Sequence, residues 1–549
     1  MNRWTDLQRT LMGLQAAIDA FAHCVSQAFV TLVGFALLTA VLGLVGGCAS
    51  LPDSVHRTVS HAHADVGDTR LAKVAAASMQ PDSHLSGVRL LPAGDQAFEA
   101  RIALARGAQK ALDVQYYQIA NDASGRQFLG ELRNAGARGV RVRVLVDDWN
   151  AGGEDELLAG LAAHPNIDVR MFNPLAARDG TVGMRAFLSL HEFSRVNRRM
   201  HNKLFVADNA FALSGGRNIA NEYFDRSEPV NFIDMDLLSA GPVVRELSAV
   251  FDEYWNSRHA YPIQSLATGN ESPEEARRRF DEAVESDTQA TRPVAALDAL
   301  GQGAVGSQLD DGRVSLHMAQ VKVLADEPRK ADVDNASFAD GAVAAGNLAF
   351  LASARFDVFV ASPYFVPGRG TLDVLRRAGH NKVQVSVMTN SLATTDEPLV
   401  HAGYARYRSE LLESGVALYE LMPQDADGER EHDGPYGSLG RLHAKLAVVD
   451  QRWLSIGSMN MDRRSAHSNT EMALIIDSPA LAGHVSTLLR AEQESLSYRV
   501  RSREGEAGAL QWVSRDGEKE VVLDSEPALK WRLQLRLSLV SMFLSEELL

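Results

Sequence analysis

Short apolar runs alternate with amphipathic stretches along both halves of the chain. A short run of apolar or alternating residues predicts a strand, and apolar residues three or four apart predict a helix. In the first half, the pattern predicts strands at 112–117 and 140–146 and a helix at 125–135. In the second half, it predicts strands at 356–361, 383–389 and 416–421 and helices at 370–378 and 408–414. Strands alternating with helices in both halves predict an α/β fold in which one α/β sandwich is built twice.

Changes in composition divide the chain further. Phe251, Tyr254 and Trp255 share the spacing of a helix that closes the first half, and the charged run at 271–279 is typical of one solvated helix. The predicted divisions are a signal peptide or membrane anchor at 1–47, a flexible tether at 48–85, a first domain at 86–263, a connector at 264–313, a second domain at 314–500 and a C-terminal extension at 501–549.

The N-terminal segment has no charged residue over the twenty positions from Ala28 to Gly47. That length is sufficient to cross a bilayer. The segment ends in small residues followed by Cys48, which is similar to a bacterial lipoprotein processing site, so Cys48 is the predicted lipidation site. The alternative is an uncleaved signal anchor. Either one predicts a membrane-associated protein of the bacterial cell envelope. Cys24 and Cys48 are the two cysteines of the chain, so no disulfide is expected in its globular part.

Length and charge narrow the class of protein. The chain has 549 residues, 46% of them hydrophobic, which fits a globular protein of two or three domains. Its net charge of −15 argues against a general nucleic-acid binder. Arg195, Arg198 and Arg199 predict either a local basic pocket or a solvated helix face. The three histidines between 56 and 63 fit a polar tether better than a metal site.

One motif occurs twice with the same spacing. Its first copy is His201, Lys203 and Asp208, and its second copy is His443, Lys445 and Asp450. Each copy continues into a small pair and an asparagine, namely Gly215, Gly216 and Asn218 in the first and Gly457, Ser458 and Asn460 in the second. A spacing kept over eighteen positions in two places indicates that the chain carries two half-sites.

Each copy of the motif places an imidazole and an ammonium group together. The motifs enter the apolar runs 204–207 and 446–449, which predict short buried strands, and residues two apart on a strand share a face. Lys and Asn donate hydrogen bonds to anionic oxygens, and His acts as a nucleophile or a general acid. Two such half-sites suit a phosphodiester: the donors hold its non-bridging oxygens, one His attacks phosphorus and the other protonates the leaving oxygen. This chemistry needs no metal and no other cofactor.

The two motifs resemble the HKD motifs of the phospholipase D superfamily, within a likeness that runs from about Leu90 to the C-terminus. Segments 362–367, 389–396 and 401–404 are similar to bacterial cardiolipin synthases of the C type. The resemblance implies two phospholipase D-like α/β sandwich domains packed about a pseudo-two-fold axis, with the active site between them. It also implies a membrane-associated phosphatidyltransferase that makes cardiolipin from two phospholipids through a phosphohistidine.

The resemblance also assigns roles within the site. His201 is the expected nucleophile and His443 the expected acid, and we expect their pKa values on either side of ~6.5, with the arginines before the first motif lowering that of His201. By the same resemblance, Asp234, or alternatively Asp236, and Glu471 hydrogen-bond the imidazoles. The motif carboxylates, Asp208 and Asp450, are expected to be structural and to pin the turn that follows each strand.

Other functions stay open at the level of sequence. The same chemistry with water as acceptor is that of a phospholipase D, which releases phosphatidic acid. A nuclease-type phosphodiesterase is disfavoured by the acidity and the leader, and a non-catalytic lipoprotein is disfavoured because no motif residue is missing. The expected partners are phospholipid substrates and a membrane, not nucleic acid. No sequence feature indicates or excludes an accessory protein partner.

Overall fold

The structure, a computed structural model, describes residues 50–52, 55–81, 83–151, 154–178, 182–227, 230–266, 271–289, 294–332, 341–423, 440–506, 508–516 and 519–527. The leader at 1–47 and the predicted lipidation site Cys48 lie outside the described residues. None of the helices in these ranges combines the length and the apolar composition that a membrane span needs.

The first half alternates strands with helices. Its strands are β1 (Ser86–Leu91), β2 (Ala111–Tyr116), β3 (Arg141–Asp147), β4 (Ile167–Phe172), β5 (Leu204–Ala207), β6 (Phe211–Gly215), β7 (Asn231–Ile233), β8 (Asp236–Ala240) and β9 (Ala260–Pro262). Its helices are α1 (Arg70–Ser78), α2 (Gly94–Gly107), α3 (Ala123–Ala137), α4 (Asp155–Ala162), α5 (Val182–Leu188), α6 (Phe193–Val196), α7 (Pro242–Trp255), α8 (Pro273–Thr288) and α9 (Val305–Asp310).

The second half repeats the alternation. Its strands are β10 (His317–Ala325), β11 (Asp357–Ala361), β12 (Gln384–Asn390), β13 (Val416–Leu421), β14 (Gly440–Leu442), β15 (Leu446–Val449), β16 (Trp453–Gly457), β17 (Met472–Asp477), β18 (Ser497–Ser502), β19 (Leu510–Asp516) and β20 (Lys519–Leu523). Its helices are α10 (Ala342–Ala352), α11 (Gly368–His380), α12 (Pro398–Ala405), α13 (Arg408–Glu413), α14 (Arg463–His467) and α15 (Pro479–Leu496).

Strand pairing relates the halves to each other. The first half pairs in the order β9-β4-β3-β2-β5-β6-β8-β1. The second half repeats that order as β18-β13-β12-β11-β15-β16-β17-β10. Antiparallel pairing of β1 with β10 joins them into one 18-stranded sheet. The predicted double α/β sandwich is confirmed.

Three strands of each half are parallel, namely β2, β3 and β4 in the first and β11, β12 and β13 in the second. Helices cover the faces of such strands, so most of their side chains are buried. The alternating runs at 140–146 and 383–389 predicted strands to within a residue or two of Arg141–Asp147 and Gln384–Asn390. The carboxyl ends of these strands define one edge of each half.

An apolar core lies between the halves. Met200 and Leu204 of the first half and Ala444 and Leu446 of the second belong to one buried cluster. These four residues flank or enter the two motif strands. Because a close-packed core permits little relative movement, the core fixes each motif against the opposite half.

The predicted flexible tether at 48–85 is wrong for the part that the structure describes. Helix α1 buries Leu71 and Val74 in the core of the first half. Arg57 lies further along the surface of this half and donates to the carbonyl oxygen of Ala260 at 2.8 Å. Leu71 and Val74 are the large apolar residues of a short, alanine-rich segment, too few for the sequence to predict a packed helix there.

Replacing Leu71 by alanine is therefore expected to lower the free energy of unfolding by about 2–5 kcal/mol, because the cavity opens in a packed core. Lys73→Ala, on the exposed face of the same helix, is the matched control and should change it by less than about 0.5 kcal/mol. Urea unfolding followed by circular dichroism measures both. Equal unfolding midpoints for the two variants would indicate that the segment is a flexible tether instead.

The predicted connector and C-terminal extension are also parts of the fold. Helix α8, within 264–313, buries Ala276, Phe280 and Val284 against α3 and α4, so only its outer face is solvated. Strands β18, β19 and β20 continue the second sheet beyond β13 and occupy much of the described part of 501–549. Their alternation is weak in sequence because they form a sheet edge with exposed polar positions.

Candidate active site

The two motif histidines lie immediately before their strands rather than on them, which corrects the prediction. Strands β5 and β15 begin one residue after the motif lysines. The backbone N–H of His201 donates to the carbonyl oxygen of Thr470 at 2.9 Å, and that of His443 donates to the carbonyl oxygen of Ile233 at 2.8 Å. Each histidine is thus held by a main-chain hydrogen bond to the opposite half of the chain.

The imidazole and ammonium groups of each copy nevertheless stay together, as predicted. The Lys203 Nζ donates to the carbonyl oxygen of His201 at 2.8 Å. In the second copy, the Lys445 Nζ donates to the carbonyl oxygen of His443 at 2.6 Å. All four side chains are buried, with residue exposures of 9% and 7% for His201 and His443. The two imidazoles and two ammonium groups are therefore largely shielded from solvent, so charges act strongly on one another there.

Each imidazole binds a carboxylate from the other half. The His201 Nδ1 lies 3.0 Å from the Glu471 Oε2, and the His443 Nδ1 lies 2.6 Å from the Asp234 Oδ2. Asp236, the alternative to Asp234, instead accepts a hydrogen bond from Arg101 at 2.9 Å. The carboxylates that follow one motif therefore serve the histidine of the other, and neither half is complete alone.

The crossed hydrogen bonds also set the reactive nitrogen of each ring. A carboxylate on Nδ1 favours the tautomer with hydrogen on that atom, which leaves a lone pair on Nε2. For His201 the carbonyl oxygen of Ser458 is a second acceptor, 3.0 Å from Nδ1. For His443 the Lys445 Nζ, a donor, lies 3.0 Å from Nδ1. The two rings are therefore alike in placement but differ in what surrounds Nδ1.

Burial dominates the electrostatics of both imidazoles. It lowers the pKa of His201 to about 4, with Glu471 opposing the shift and both motif lysines assisting it. Burial likewise lowers the pKa of His443 to about 4, with Lys445 assisting and Asp234 opposing. Both imidazoles are neutral near pH 7, so the predicted displacement of their pKa values to opposite sides of ~6.5 is wrong.

The positive charges of the two lysines are balanced by the negative charges of the two carboxylates around the imidazoles. Burial lowers the pKa of Lys203 to about 7 and that of Lys445 to about 8. Burial raises the pKa of Asp234, but the hydrogen bond from His443 and the nearby cations outweigh it and bring the value to about 2. Burial is outweighed in the same way at Glu471, whose pKa is lowered. Asp234 and Glu471 are thus ionised beside the two lysines. A bound anion would raise the pKa values of the lysines and so keep them protonated.

The two motif asparagines retain hydrogen-bonding capacity. The Asn218 Nδ2 donates to the Tyr223 hydroxyl at 2.9 Å. The amide oxygens of Asn218 and Asn460 are buried and have no partner among the described residues. A buried polar atom without a partner is costly, and an amide can turn to offer its oxygen or its nitrogen. Both amides are therefore available to a ligand.

The small pair differs between the copies for a steric reason. A side chain at Gly216 would place its Cβ 2.4 Å from the Asp234 Oδ1 and 2.6 Å from the Oδ2. In the second copy, Ser458 occupies the matching position, and its hydroxyl donates to Glu471. Gly216 therefore keeps the space that Asp234 needs to reach His443.

Gly216→Ala is expected to lower turnover about a hundredfold without unfolding the protein, because the added methyl must displace the Asp234 carboxylate. Gly483→Ala is the matched control, since nothing lies within 4 Å of a Cβ built there, and it should keep parental turnover. Circular dichroism checks folding in both cases. Parental turnover in Gly216→Ala would contradict the role given to this contact.

The motif aspartates are structural, as expected. Their carboxylates bind the backbone at the start of a neighbouring strand rather than that of the turn that follows the motif strand. The Asp208 carboxylate accepts backbone hydrogen bonds from Gln109, Lys110 and Ala111, just before β2. The Asp450 carboxylate accepts from the matching segment at 355–357. Each aspartate lies within the hairpin turn, at a positive φ of 49° or 54°, and ties that turn to the start of the neighbouring strand.

The arginines before the first motif form neither a basic pocket nor a solvated face. Arg199 is 1% exposed, and its guanidinium lies 3.2 Å from an oxygen of Asp147. Arg195 donates to the side chain of Asn173 at 2.7 Å, and Arg198 donates to the carbonyl oxygen of Lys330 at 3.0 Å. They stabilise the loop that delivers His201. The largest contributions to the pKa of His201, which is lowered, come from burial, Glu471 and the two motif lysines rather than from these arginines.

Aromatic rings around the imidazoles were not predicted from the sequence. Tyr117 packs edge-on against His201, with ring centroids 5.1 Å apart. Tyr223 and Phe232 contact His443 at 5.0 and 4.9 Å. Tyr117 directly follows β2 at the carboxyl edge of the sheet, which was a usable signal, whereas Tyr223 lies in a single 3-10 turn and Phe232 in the three-residue strand β7, elements too short to give a periodic pattern. The rings exclude water and restrict rotation of the imidazoles.

The described residues contain no group of three or more His, Cys, Asp or Glu side chains placed to hold a metal ion. One tether histidine, His61, has its Nδ1 3.5 Å from an oxygen of Asp252. Its side chain is 69% exposed, and the segment is held to the first half by the backbone N–H of the next residue, Ala62, which donates to the Asp252 Oδ2 at 2.8 Å.

Comparison with known proteins agrees with this geometry. The family model described as "Cardiolipin synthase, PLD-like domain" matches residues 102–255 and 348–492, one match in each half. Cardiolipin synthase C of Escherichia coli strain K12 is 36% identical over 463 residues, which cover 82% of this chain and 94% of that protein. A cardiolipin synthase of Geobacillus kaustophilus is 28% identical over 399 residues, which cover 71% of this chain and 63% of that protein.

A solved structure shares the fold. The phosphatidylserine synthase of Haemophilus influenzae Rd KW20 superposes with a TM-score of 0.53 at 14% sequence identity, covering 86% of this chain and 98% of that one. The likeness supports the fold alone, since the identity is low. Family model, sequence identity and doubled site together show that the chain belongs to the phospholipase D superfamily, in the cardiolipin synthase family with PLD-like domains, and is a phosphatidyltransferase of that superfamily.

Proposed function

We propose that this protein makes cardiolipin by transferring the phosphatidyl group of one phospholipid to the head-group hydroxyl of a second. The observation that carries the proposal is the crossed site, in which His201 binds Glu471 and His443 binds Asp234 across the two halves. Such a site offers two imidazoles to a single phosphorus, one for attack and one for proton transfer. The cardiolipin synthases among its relatives support the choice of substrates.

In the first step, the Nε2 of His201 attacks the phosphorus of the donor phospholipid. The bond from phosphorus to the head-group oxygen breaks, and His443, protonated when the anionic substrate raises its pKa, gives its proton to that oxygen. The head-group alcohol leaves, and the phosphatidyl group stays on His201. Lys203 and Lys445 hold the non-bridging oxygens, with the amides of Asn218 and Asn460 completing the set of contacts.

In the second step, the acceptor phospholipid enters with a free hydroxyl on its head group. The neutral His443 takes the proton of that hydroxyl, and the oxygen attacks the phosphorus as the bond to His201 breaks. The product is cardiolipin, and both imidazoles return to their starting states. Asp234 and Glu471 stabilise the imidazolium forms that arise in each step.

Local contacts support His201 as the nucleophile. Its Nδ1 has two acceptors, the Glu471 carboxylate and the Ser458 carbonyl oxygen, each at 3.0 Å. They keep hydrogen on Nδ1 and the lone pair on Nε2, which an attacking nitrogen requires. The Nδ1 of His443 lies between an acceptor and the ammonium of Lys445, which suits a ring that gains and loses a proton.

Expression in a bacterial strain that lacks cardiolipin tests the proposal. The parental chain should restore cardiolipin in extracted lipids, measured by mass spectrometry, whereas the matched His443→Ala chain should not. Phosphatidic acid without cardiolipin would show that water is the acceptor and would overturn the proposed transfer. A chain that changes neither lipid, although it is present in the membrane fraction, would also contradict it.

We also propose that the enzyme is held at the bacterial membrane as a lipoprotein through Cys48, with a signal anchor at 1–47 as the alternative. The uncharged stretch from Ala28 to Gly47 and the small residues before Cys48 support it. Cys48→Ala should abolish incorporation of labelled fatty acid and block removal of the leader, which gel mobility reports. Cys24→Ala is the matched control. Unchanged labelling in Cys48→Ala would favour the anchor.

A further inference from the structure

Helix α5 exposes apolar side chains and buries a charged one, the opposite of what is usual for a helix at the surface of a soluble protein. Met184, Phe187 and Leu188 lie three and four positions apart on one face and are 52%, 40% and 41% exposed. Arg185, in the same helix, is instead fully buried and donates to Asp148 at 2.8 Å. Phe193, at the start of α6, is 45% exposed. The four apolar side chains form what we call the docking surface.

The docking surface is concentrated and held in place. Among the described residues, four of the nine large hydrophobic side chains that are most exposed fall between 184 and 193. Arg185 and Arg178 both bind the buried carboxylate of Asp148, which anchors the helix by its polar side. Soluble proteins ordinarily expose large apolar side chains singly, so four within ten residues indicate an interaction site.

The docking surface belongs to the same sheet edge as the catalytic histidines. Its segment follows the carboxyl end of β4 and leads directly to the first motif. The Asn173 side chain, just after β4, donates to the carbonyl oxygens of Arg195 and Arg198. The Asp147 carboxylate, at the end of β3, accepts from the backbone N–H of Met200 at 2.8 Å, next to His201. The loop that carries the surface is therefore continuous with the active site.

We propose that the docking surface inserts into the lipid bilayer and holds the active-site edge against it, an inference that rests on the proposed phospholipid substrates. The buried imidazoles require a head group to rise from the bilayer into the site, and an adjoining apolar surface shortens that path. Binding of this kind depends on apolar area rather than on charge. The charged side chains within 182–196 fit this, because Arg185 pairs with Asp148 and Arg195 with Glu192.

The first test compares two forms of substrate with the full-length protein. The triple variant Phe187→Ser, Leu188→Ser and Phe193→Ser should lose at least about tenfold in activity on long-chain phospholipid in vesicles. It should keep parental activity on a short-chain phospholipid held below its micelle concentration. Phe356→Ser is the matched control: this side chain is 73% exposed but lies before β11, at the opposite edge, so both activities should be unchanged.

The second test does not depend on turnover. Phe187→Trp and Phe356→Trp are placed separately in the full-length protein, which is bound to vesicles of phosphatidylglycerol and phosphatidylethanolamine with brominated acyl chains. Bromine quenches indole fluorescence only at short range. We expect the added fluorescence to be quenched for Phe187→Trp and not for Phe356→Trp.

The two tests separate this inference from the proposed function. If the parental chain turned over neither substrate, the proposed function would fail, while quenching at Phe187→Trp would still support docking. Equal quenching of the two tryptophans, or equal loss of both activities in the triple variant, would overturn the docking surface. Loss of self-association in the triple variant, without quenching at Phe187→Trp, would assign the surface to a second copy of the chain and would also overturn it.

Discussion

Replacing His201 or His443 by alanine is expected to lower turnover at least about a thousandfold, and replacing both should lower it little further. The two imidazoles act as one unit, because attack on phosphorus and protonation of the leaving oxygen occur in the same step, so their losses are not additive. Phosphatidyl transfer in detergent-solubilised membranes measures the effect. The expectation holds for both residues because the structure gives each a buried imidazole and a crossed carboxylate.

His380→Ala is a suitable control for this pair. His380 lies exposed at the end of α11, away from both motifs, so its loss should leave turnover unchanged. A single motif variant that kept more than about a tenth of parental activity would show that the two-histidine scheme is wrong.

The second large effect is expected at the crossed carboxylates. Asp234→Asn and Glu471→Gln keep the size of the side chain but remove the charge that stabilises an imidazolium and fixes the ring tautomer. Each should lower turnover by about a hundredfold to ten-thousandfold. The structure predicts that Asp234→Asn disables His443 and that Glu471→Gln disables His201, although each carboxylate follows the other motif in the sequence.

A phosphodiester with a nitrophenolate leaving group separates the two defects. Nitrophenolate departs without a proton, so the first step no longer needs the acid. The burst of nitrophenolate should therefore be near parental in His443→Ala and Asp234→Asn, and absent in His201→Ala and Glu471→Gln. If Asp234→Asn instead behaved like His201→Ala, the crossed pairing would be wrong.

The repeated motif allowed much of the site to be predicted. His201, Lys203, His443 and Lys445 could be named because a fixed spacing occurred twice, and each lysine was found hydrogen-bonded to the carbonyl oxygen of its own histidine. Asp234 and Glu471 were named by resemblance, but their exchange between halves could not be foreseen. Nearness in sequence favours pairing each carboxylate with the histidine of its own half. The observed pairs join opposite halves because β7 pairs with β14 and because main-chain hydrogen bonds link the halves beside the histidines.

The sequence predicted the buried strands of the parallel part of each sheet correctly. The prediction failed for elements that are only partly buried. The runs that became β3 and β12 alternate valine with polar residues, which predicts a strand, whereas α1 is a short, alanine-rich segment whose large apolar residues are Leu71 and Val74, and its sequence therefore predicts a tether. The electrostatics also escaped prediction. Burial, which lowers the pKa of both His201 and His443, depends on tertiary packing that periodicity does not report.

Trapping the covalent intermediate tests the central claim most directly. The full-length enzyme is mixed with a short-chain phospholipid labelled at phosphorus and quenched within one turnover, under conditions that keep the phosphorus–nitrogen bond, and its peptides are mapped by mass spectrometry. The account predicts a phosphatidyl group on the peptide that contains His201, and no label on that peptide in the His201→Ala chain. An active enzyme whose label never appears on a histidine peptide, or appears on the one containing His443, would contradict it.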